Sequence, residues 1–203
     1  MTQDSLLAMP ETLIGLWPDV GMLYRLSRAP GQLGVHAALV GARLDAGDAI
    51  RAGLADRFVP AAALGSFVEA LRSGVLPEVA DEQPSGTLAD ATWIDECYAF
   101  DTAEEILAAL LAHPDPAARE AGRALGGMAP TSVKVTLRAV RAAASMTLQQ
   151  VLDQDLRFAR HFMTRPDLPE GVRAQVVDKD RSPRWRPARL EDVTEDDVAA
   201  FFA

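Results

Sequence analysis

Helix-start signals recur through the second half of the chain and restrict it to a largely helical structure. Thr102 and Thr147 each stand three residues before a carboxyl or amide side chain, Glu105 and Gln150, which is the spacing of a capping box. Asp115 precedes a proline, and proline suits the first helical position because its missing amide hydrogen has no partner there anyway. The sequence therefore predicts helices that begin near residues 102, 115 and 147.

The helix predicted from about residue 147 to residue 163 carries an apolar stripe. Because the apolar residues recur close to the helical period, we expect them to pack in the core rather than to line a cofactor site. The stripe consists of Leu148, Val151, Leu152, Leu156, Ala159, Phe162 and Met163. A last short helix is predicted at Asp167, whose partner at the capping-box position is Glu170.

The first 75 residues contain shorter elements separated by proline and glycine. Asp45 is placed to cap one helix, and another shows one apolar face, formed by Leu64, Phe67, Val68 and Leu71. The predicted helices cover residues 20–26, 31–40, 45–54 and 61–73, and a short strand is predicted at 57–60.

An acidic, turn-rich stretch, LPEVADEQPSGTLAD at residues 76–90, predicts an exposed connection. The chain would then divide into a first region, 1–75, the linker 76–90, and a helical region, 91–203, that ends in a basic, proline-rich tail.

Composition narrows the classes of function. The chain has 203 residues, 49% of them hydrophobic, and a net charge of −9, so it can form a core but would repel nucleic acid and anionic membranes. A single cysteine, Cys97, excludes an intramolecular disulfide. Three separated histidines, His36, His113 and His161, do not make a metal site, and we expect them at the surface or half-buried. The sequence shows neither an apolar run long enough to span a bilayer nor the pattern of a signal peptide. A cytoplasmic location is therefore predicted.

Residues 9–21, MPETLIGLWPDVG, place two acids, Glu11 and Asp19, in an apolar stretch broken by proline and glycine. Burial of a carboxylate is costly and raises its pKa toward the range useful for proton transfer. A catalytic pair is one interpretation. The alternative is structural: Asp19 would cap a helix that begins at Val20, and Glu11 would accept a hydrogen bond from a nearby backbone donor.

The basic tail surrounds Trp185 with cationic side chains. They are Lys179, Arg181, Arg184, Arg186 and Arg189. One hypothesis is a phosphate or nucleotide site in which Trp185 or an arginine stacks on a base. The other is a tail attached to an acidic surface of its own subunit, with Trp185 as the anchor.

Four segments together carry a resemblance to a known family. They are MPETLIGLWPDVG, GARLDAGDAIRAGLADRFVP, the pair IDECYAFDTAEEI and PTSVKVTLRAV, and LPEGVRAQVVDKDRSPRWRPARLEDVT. The chain resembles the crotonase (enoyl-CoA hydratase/isomerase) superfamily and, by its DKD-SP-W-P ending, the 3-hydroxyisobutyryl-CoA hydrolase branch. The resemblance implies a mainly α structure, the C-terminal, largely helical portion of a crotonase-like α/β fold with most of the β-spiral missing.

In terms of that family, Glu11 resembles the acid/base residue, and Asp19 resembles the second acid, which binds the substrate hydroxyl and assists hydrolysis. The implied function is hydrolysis of a short β-hydroxyacyl-CoA to the free acid and CoA, as in valine catabolism, with no cofactor beyond the CoA of the substrate. The family's oxyanion amides and CoA cleft lie in an N-terminal half that we expect to be missing here. Met22 and Leu23 stand where the family commonly has glycine, which would alter the acyl pocket.

Two other functions stay open: a non-catalytic helical interaction module derived from the family, and an enoyl-CoA hydratase. For partners, the resemblance implies an acyl-CoA substrate if an N-terminal half is supplied, and a homo-oligomer or an N-terminal partner chain. We expect an uncovered apolar surface that drives self-association around Trp17. It would comprise Leu13, Ile14, Leu16, Trp17, Met22 and Leu23.

Overall fold

The computed structural model describes residues 1–77 and 84–203, which fall into two compact units. The first unit combines Met1–Ala8 with Arg43–Ala91, and the second combines Met9–Ala42 with Thr92–Ala203. The predicted first region, 1–75, is therefore shared between both units. Residues 78–83, part of the predicted linker 76–90, lie outside the described residues.

The described residues of the first unit form two α-helices. Asp45 caps α3 (Ala46–Arg51) by accepting a hydrogen bond from the Asp48 amide at 2.9 Å, as predicted. The helix predicted at 61–73 forms as a 3-10 turn, Ala61–Ala63, followed by α4 (Leu64–Arg72). Leu64, Val68 and Leu71 of its apolar face are exposed.

The strand predicted at 57–60 is wrong. Within residues 1–77 and 84–203, bridge pairing is confined to one isolated antiparallel bridge between Leu7 and Leu44. The Val59 amide donates to the Met1 carbonyl at 2.8 Å. Its segment has no ladder of such bonds to a neighbouring strand, and a short apolar run without one stays irregular.

The second unit is a helical assembly in which the predicted caps form. Thr102 and Thr147 each complete a capping box with Glu105 and Gln150, and Asp115 accepts from the Ala117 amide at 2.8 Å. The helices of this unit are α1 (Met22–Leu26), α2 (Leu33–Val40), α5 (Thr92–Tyr98), α6 (Ala103–Ala112), α7 (Pro116–Gly127), α8 (Pro130–Ala143), α9 (Leu148–Phe162), α10 (Asp167–Val172) and α11 (Glu195–Ala199).

Helix α2 lies at the centre of this unit, with almost every residue buried. A Cβ atom on Gly34 would lie 1.8 Å from the Leu26 carbonyl oxygen, so only glycine permits this approach of α1 and α2. His36 is also buried, which corrects the prediction that it lies at the surface or is half-buried. Its Nδ1 lies 2.9 Å from the Tyr98 hydroxyl, and burial lowers the pKa of His36 to about 4.

The buried face predicted for α9 is right at Val151 and Phe162 and wrong at four other positions. Leu148, Leu152, Leu156 and Met163 at its C-cap are exposed. Besides Val151 and Phe162, the buried residues are Gln154, Asp155 and Phe158. The buried face includes an amide and a carboxylate, so a search for apolar residues alone displaces the predicted face around the helix.

The predicted cap at Asp167 is also wrong. Asp167 is the first residue of α10, is buried, and accepts a hydrogen bond from the Arg186 amide at 2.8 Å. Glu170 pairs with Arg173 instead of closing a capping box. Because both carboxylates bond to groups further along the chain, neither is available to cap the helix.

The predicted fold class is confirmed, since the described residues are mainly helical. The helices of the described residues include none that is both long enough and apolar enough to cross a membrane.

Candidate functional site

The acid segment, residues 9–21, is built from tight turns that pack against α10. It begins with a 3-10 helix, Glu11–Ile14, which ends at Gly15 with a φ of 80°. A Cβ atom on Gly15 would lie 2.7 Å from the carbonyl carbon of Asp167, and one on Gly171 would lie 2.5 Å from that of Ile14. The two backbones therefore meet through a pair of glycines, which fixes the position of the turn that carries Glu11.

Glu11 is a partly buried carboxylic acid with an unusual protonation equilibrium. Among the described residues its Oε2 atom is buried and has no hydrogen-bond partner. Burial, aided by the charge of Asp19, raises the pKa of Glu11 to about 7. A carboxyl group with such a pKa exchanges its proton near neutral pH, as a general acid or base must.

The structural interpretation of Asp19 is wrong. Helix α1 begins at Met22, its N-cap is Gly21, and no side chain caps it. The Asp19 carbonyl oxygen, not its carboxylate, accepts a hydrogen bond from the Met22 amide at 2.9 Å. The Asp19 carboxylate is therefore not used as a helix cap, which favours the catalytic interpretation of the pair.

A third acid, Asp155 on α9, belongs to the same group and was missed by the sequence analysis. Its Oδ1 accepts from the Trp17 indole Nε1 and its Oδ2 from the Gly21 amide, both at 2.8 Å. Burial raises the pKa of Asp155, the two hydrogen bonds oppose that rise, and the charge of Asp19 adds to it. The sequence carries no local signal for these contacts because Asp155 lies more than 130 residues from both donors.

The residues between the two predicted acids are packed inward. Trp17 is 2% exposed, stacks on Phe162 with 5.0 Å between ring centroids, and meets Phe158 edge to face at 5.6 Å. Leu23 is fully buried in α1, and Met22 is half-buried. The predicted apolar surface is therefore wrong at Trp17 and Leu23, because Trp17 lies between α9 and its own turn and Leu23 is buried in α1. Its other members, Leu13, Ile14, Leu16 and Met22, are half-buried, and self-association stays a prediction.

The basic tail has the geometry of an attached segment. Trp185 is buried and donates its indole N–H to the Gly127 carbonyl at 3.0 Å. Arg173 pairs with Glu170, Asp178 and Asp180. The hydrogen bonds that Glu170 accepts from Arg173 and from the Arg184 amide lower its pKa to about 2. Trp185 is thus an anchor, as the second hypothesis for this tail stated, and its ring is not free to stack on a base.

Comparison with known proteins identifies the family. Residues 1–202 match the family model described as enoyl-CoA hydratase/isomerase. The chain belongs to this family. The predicted superfamily is thereby confirmed, and the acid segment lies within the matched residues.

The relatives of this family member include proteins named 3-hydroxyisobutyryl-CoA hydrolase. The mitochondrial proteins of that name from Rattus norvegicus and Homo sapiens are each 40% identical over 99% of this chain and 56% of their own length. A probable 3-hydroxyisobutyryl-CoA hydrolase 2 from Arabidopsis thaliana is 36% identical, over 99% of this chain and 58% of its length. The chain thus spans just over half the length of these relatives.

Solved structures agree with the fold. A carnitinyl-CoA dehydratase from Mycobacterium thermoresistibile is 46% identical, with a TM-score of 0.93, over 100% of this chain and 60% of that one. An enoyl-CoA hydratase from Rhodobacter sphaeroides is 41% identical, with a TM-score of 0.94 and the same coverage. Both chains contain the helical arrangement described above within a longer polypeptide.

Proposed function

We propose that this chain carries the acid pair of an acyl-CoA thioester hydrolase of the 3-hydroxyisobutyryl-CoA hydrolase type. The supporting observation is Glu11, a half-buried carboxyl group whose pKa is raised to about 7 beside a second acid, Asp19. The names of relatives that are about 40% identical support the substrate class, a short β-hydroxyacyl-CoA. The products would be the free acid and CoA.

In the proposed reaction, Glu11 provides the carboxylate that attacks the thioester carbonyl or activates water for that attack. If Glu11 activates water, it takes the proton of that water and, with its near-neutral pKa, passes it to the thiolate as the C–S bond breaks. If Glu11 attacks the carbonyl itself, the thiolate leaves as an acyl anhydride forms, and water then cleaves the anhydride to the free acid and regenerates Glu11. Asp19 binds the substrate hydroxyl. The donors that stabilise the oxyanion would come from the part of the relatives' length that these residues do not match, within one polypeptide or in a partner chain. No resident cofactor is proposed, because CoA is part of the substrate.

The test is thioester hydrolysis of 3-hydroxyisobutyryl-CoA, followed by trapping of the released thiol. The chain is assayed alone and together with the complementary N-terminal segment of a relative. Glu11→Gln and Asp19→Asn should each lower kcat by about 10²- to 10⁴-fold with little change in CoA affinity, since positioned acid-base groups contribute that much.

The matched control is Asp153→Asn, an exposed acid on α9, which should leave kcat unchanged. Absence of turnover in both forms would overturn the proposed hydrolase and leave a non-catalytic module. Turnover that is insensitive to both substitutions would overturn the assigned roles.

A second candidate reaction is hydration of an enoyl-CoA. It is favoured by the two solved structures, whose names describe a dehydratase and a hydratase. The same samples incubated with crotonyl-CoA would lose the enoyl absorbance without release of thiol if hydration is the reaction.

We also propose that this chain acts in the cytoplasm. The relatives from Rattus norvegicus and Homo sapiens are named as mitochondrial proteins, so they differ from this chain in the proposed location. Fractionation of the source cells with an antibody against this chain would test it.

A further inference from the structure

The carboxylate of Asp155 accepts hydrogen bonds from both ends of the turn that carries Asp19. Trp17 lies two residues before Asp19, and Gly21 lies two residues after it. Both donate hydrogen bonds to Asp155, one to each oxygen, at 2.8 Å. Hydrogen bonds to a charged acceptor are stronger than those to a neutral one. The two ends of the turn are therefore held by the same side chain.

Asp155 is itself held firmly. It is 8% exposed and sits on the buried face of α9, one turn before Phe158 and two turns before Phe162. Both aromatic rings contact the Trp17 indole. The hydrogen bonds and the ring contacts thus fix the turn to a single rigid helix.

The turn contains a residue that needs such support. Val20 has a φ of 52°, a left-handed conformation that is unfavourable for a β-branched residue. Strain of this kind persists only where the surroundings hold it, and it clusters at functional sites. The hydrogen bond from the next residue, Gly21, to Asp155 supplies one such constraint.

The three acids also interact electrostatically. The charge of Asp19 contributes to the raised pKa of both Glu11 and Asp155, so Asp19 lies close enough to influence each. Neither pKa is shifted by a positively charged group. The protonation of Glu11 therefore depends on where Asp19 is held.

We propose that Asp155 is a positioning residue: it orients Asp19 toward Glu11 by holding both ends of the turn between Trp17 and Gly21. The inference rests on the proposed function, in which Asp19 acts on the substrate. Asp155 does not touch the reacting atoms in this proposal and acts through Asp19.

The experiment is carbon-detected NMR titration of the Glu11 carboxyl in the 203-residue chain, without substrate. Asp155→Asn leaves an acceptor for only one of the two donors. The donor that loses its acceptor, the Trp17 indole N–H or the Gly21 amide, should exchange with solvent about 10- to 100-fold faster. The Glu11 pKa should fall below about 7, in the same direction as in Asp19→Asn. The double variant should lower it no further than Asp19→Asn alone, because the two changes act through one residue.

Two further variants separate position from charge. Trp17→Phe removes one hydrogen bond, keeps the charge of Asp155 and retains an aromatic ring against Phe162, so it should also lower the Glu11 pKa. If Asp155→Asn does not fold, the Glu11 pKa of Trp17→Phe tests the proposal in its place. Asp153→Asn, the exposed acid on the same helix, should change neither quantity.

An unchanged Glu11 pKa in both Asp155→Asn and Trp17→Phe, despite faster exchange of the released donor, would overturn the proposal and leave Asp155 with a purely structural role. The outcome is independent of the proposed function, since no thioester is involved. Failure to hydrolyse any acyl-CoA would refute the hydrolase and leave the titration result standing.

Discussion

The acid segment, residues 9–21, and the basic tail, residues 178–189, are built alike but treat their charges in opposite ways. Each is irregular, contains proline, and is anchored by the indole N–H of a tryptophan, Trp17 or Trp185. Where the tail begins, Arg173 pairs with three carboxylates, Glu170 before the tail and Asp178 and Asp180 within it. The pKa of Glu170 falls to about 2.

In the acid segment no cation of the described residues offsets the burial of Glu11, and its pKa rises to about 7. The presence or absence of a cationic partner therefore indicates which carboxylates of this chain can take part in proton transfer. A carboxylate with an arginine partner is fixed in its charged form and serves structure, whereas one kept without a cation can exchange a proton.

The largest expected effect is the loss of stability when one of the two anchoring tryptophans, Trp17 or Trp185, is replaced. Trp17→Ala should lower the free energy of unfolding by about 3–5 kcal/mol, the usual cost of removing a buried aromatic ring. It also removes one of the two donors to Asp155. Trp185→Ala should cost less, because Trp185 is 8% exposed against 2% for Trp17. Urea denaturation of both variants measures the difference, and equal losses would show that the two anchors are equivalent.

The next effect concerns pH. The folded-state pKa of Glu11 lies above its ordinary value of 4.5, so its contribution to stability is complete below that value and is lost as the pH rises through about 7. Glu11→Gln should therefore flatten the decline in unfolding free energy between these two pH values. Denaturation curves across this range test the sign.

The tail provides the control for that titration. The pKa of Glu170 is lowered, so its contribution is present above its ordinary value of 4.5 and is lost as the pH falls toward about 2. Glu170→Gln should therefore lower stability above pH 4.5 and remove the fall in unfolding free energy between that pH and about 2. A Glu11→Gln variant that changes the pH dependence of stability only below pH 4.5 would contradict the assignment for the acid segment.

The smallest effect concerns the ion pair next to the tail. Arg173→Gln should raise the pKa of Glu170 from about 2 toward its ordinary 4.5. Stability should change little, because solvent still screens this pair, whose side chains are 31% and 20% exposed. Carbon-detected NMR would follow the carboxyl group. Arg189→Gln is the matched control, because Arg189 pairs with Asp192 and should leave Glu170 unaffected. If Glu170 still titrates near 2 without Arg173, the arginine is not what distinguishes the tail from the acid segment.

How far the sequence predicts this structure depends on the range of each interaction. The caps at Thr102 and Thr147 were correct because a capping box joins residues three apart. Glu11 and Asp19 could be selected because acids in an apolar stretch stand out locally. The burial of Asp155 on α9 could not be predicted, because its hydrogen-bond donors, Trp17 and Gly21, lie more than 130 residues away.

The same reason explains the other misses. His36 looks like a surface residue until Tyr98 provides its hydrogen-bond partner. Asp167 looks like a cap until Arg186 approaches it. In each case a polar group is buried because a distant part of the chain bonds to it, and a single sequence does not show which part that is.

The close contact between Gly15 and α10 has a consequence for how natural variants of this chain should be interpreted. Residue 171 lies far from Glu11 along the chain, yet its missing side chain is what lets α10 rest against Ile14. A change there to alanine would push on the turn that carries the acid while leaving every acidic residue intact. Variants at position 171 should therefore be grouped with those that displace the acid segment, although an inventory of acidic residues would score such an allele as harmless.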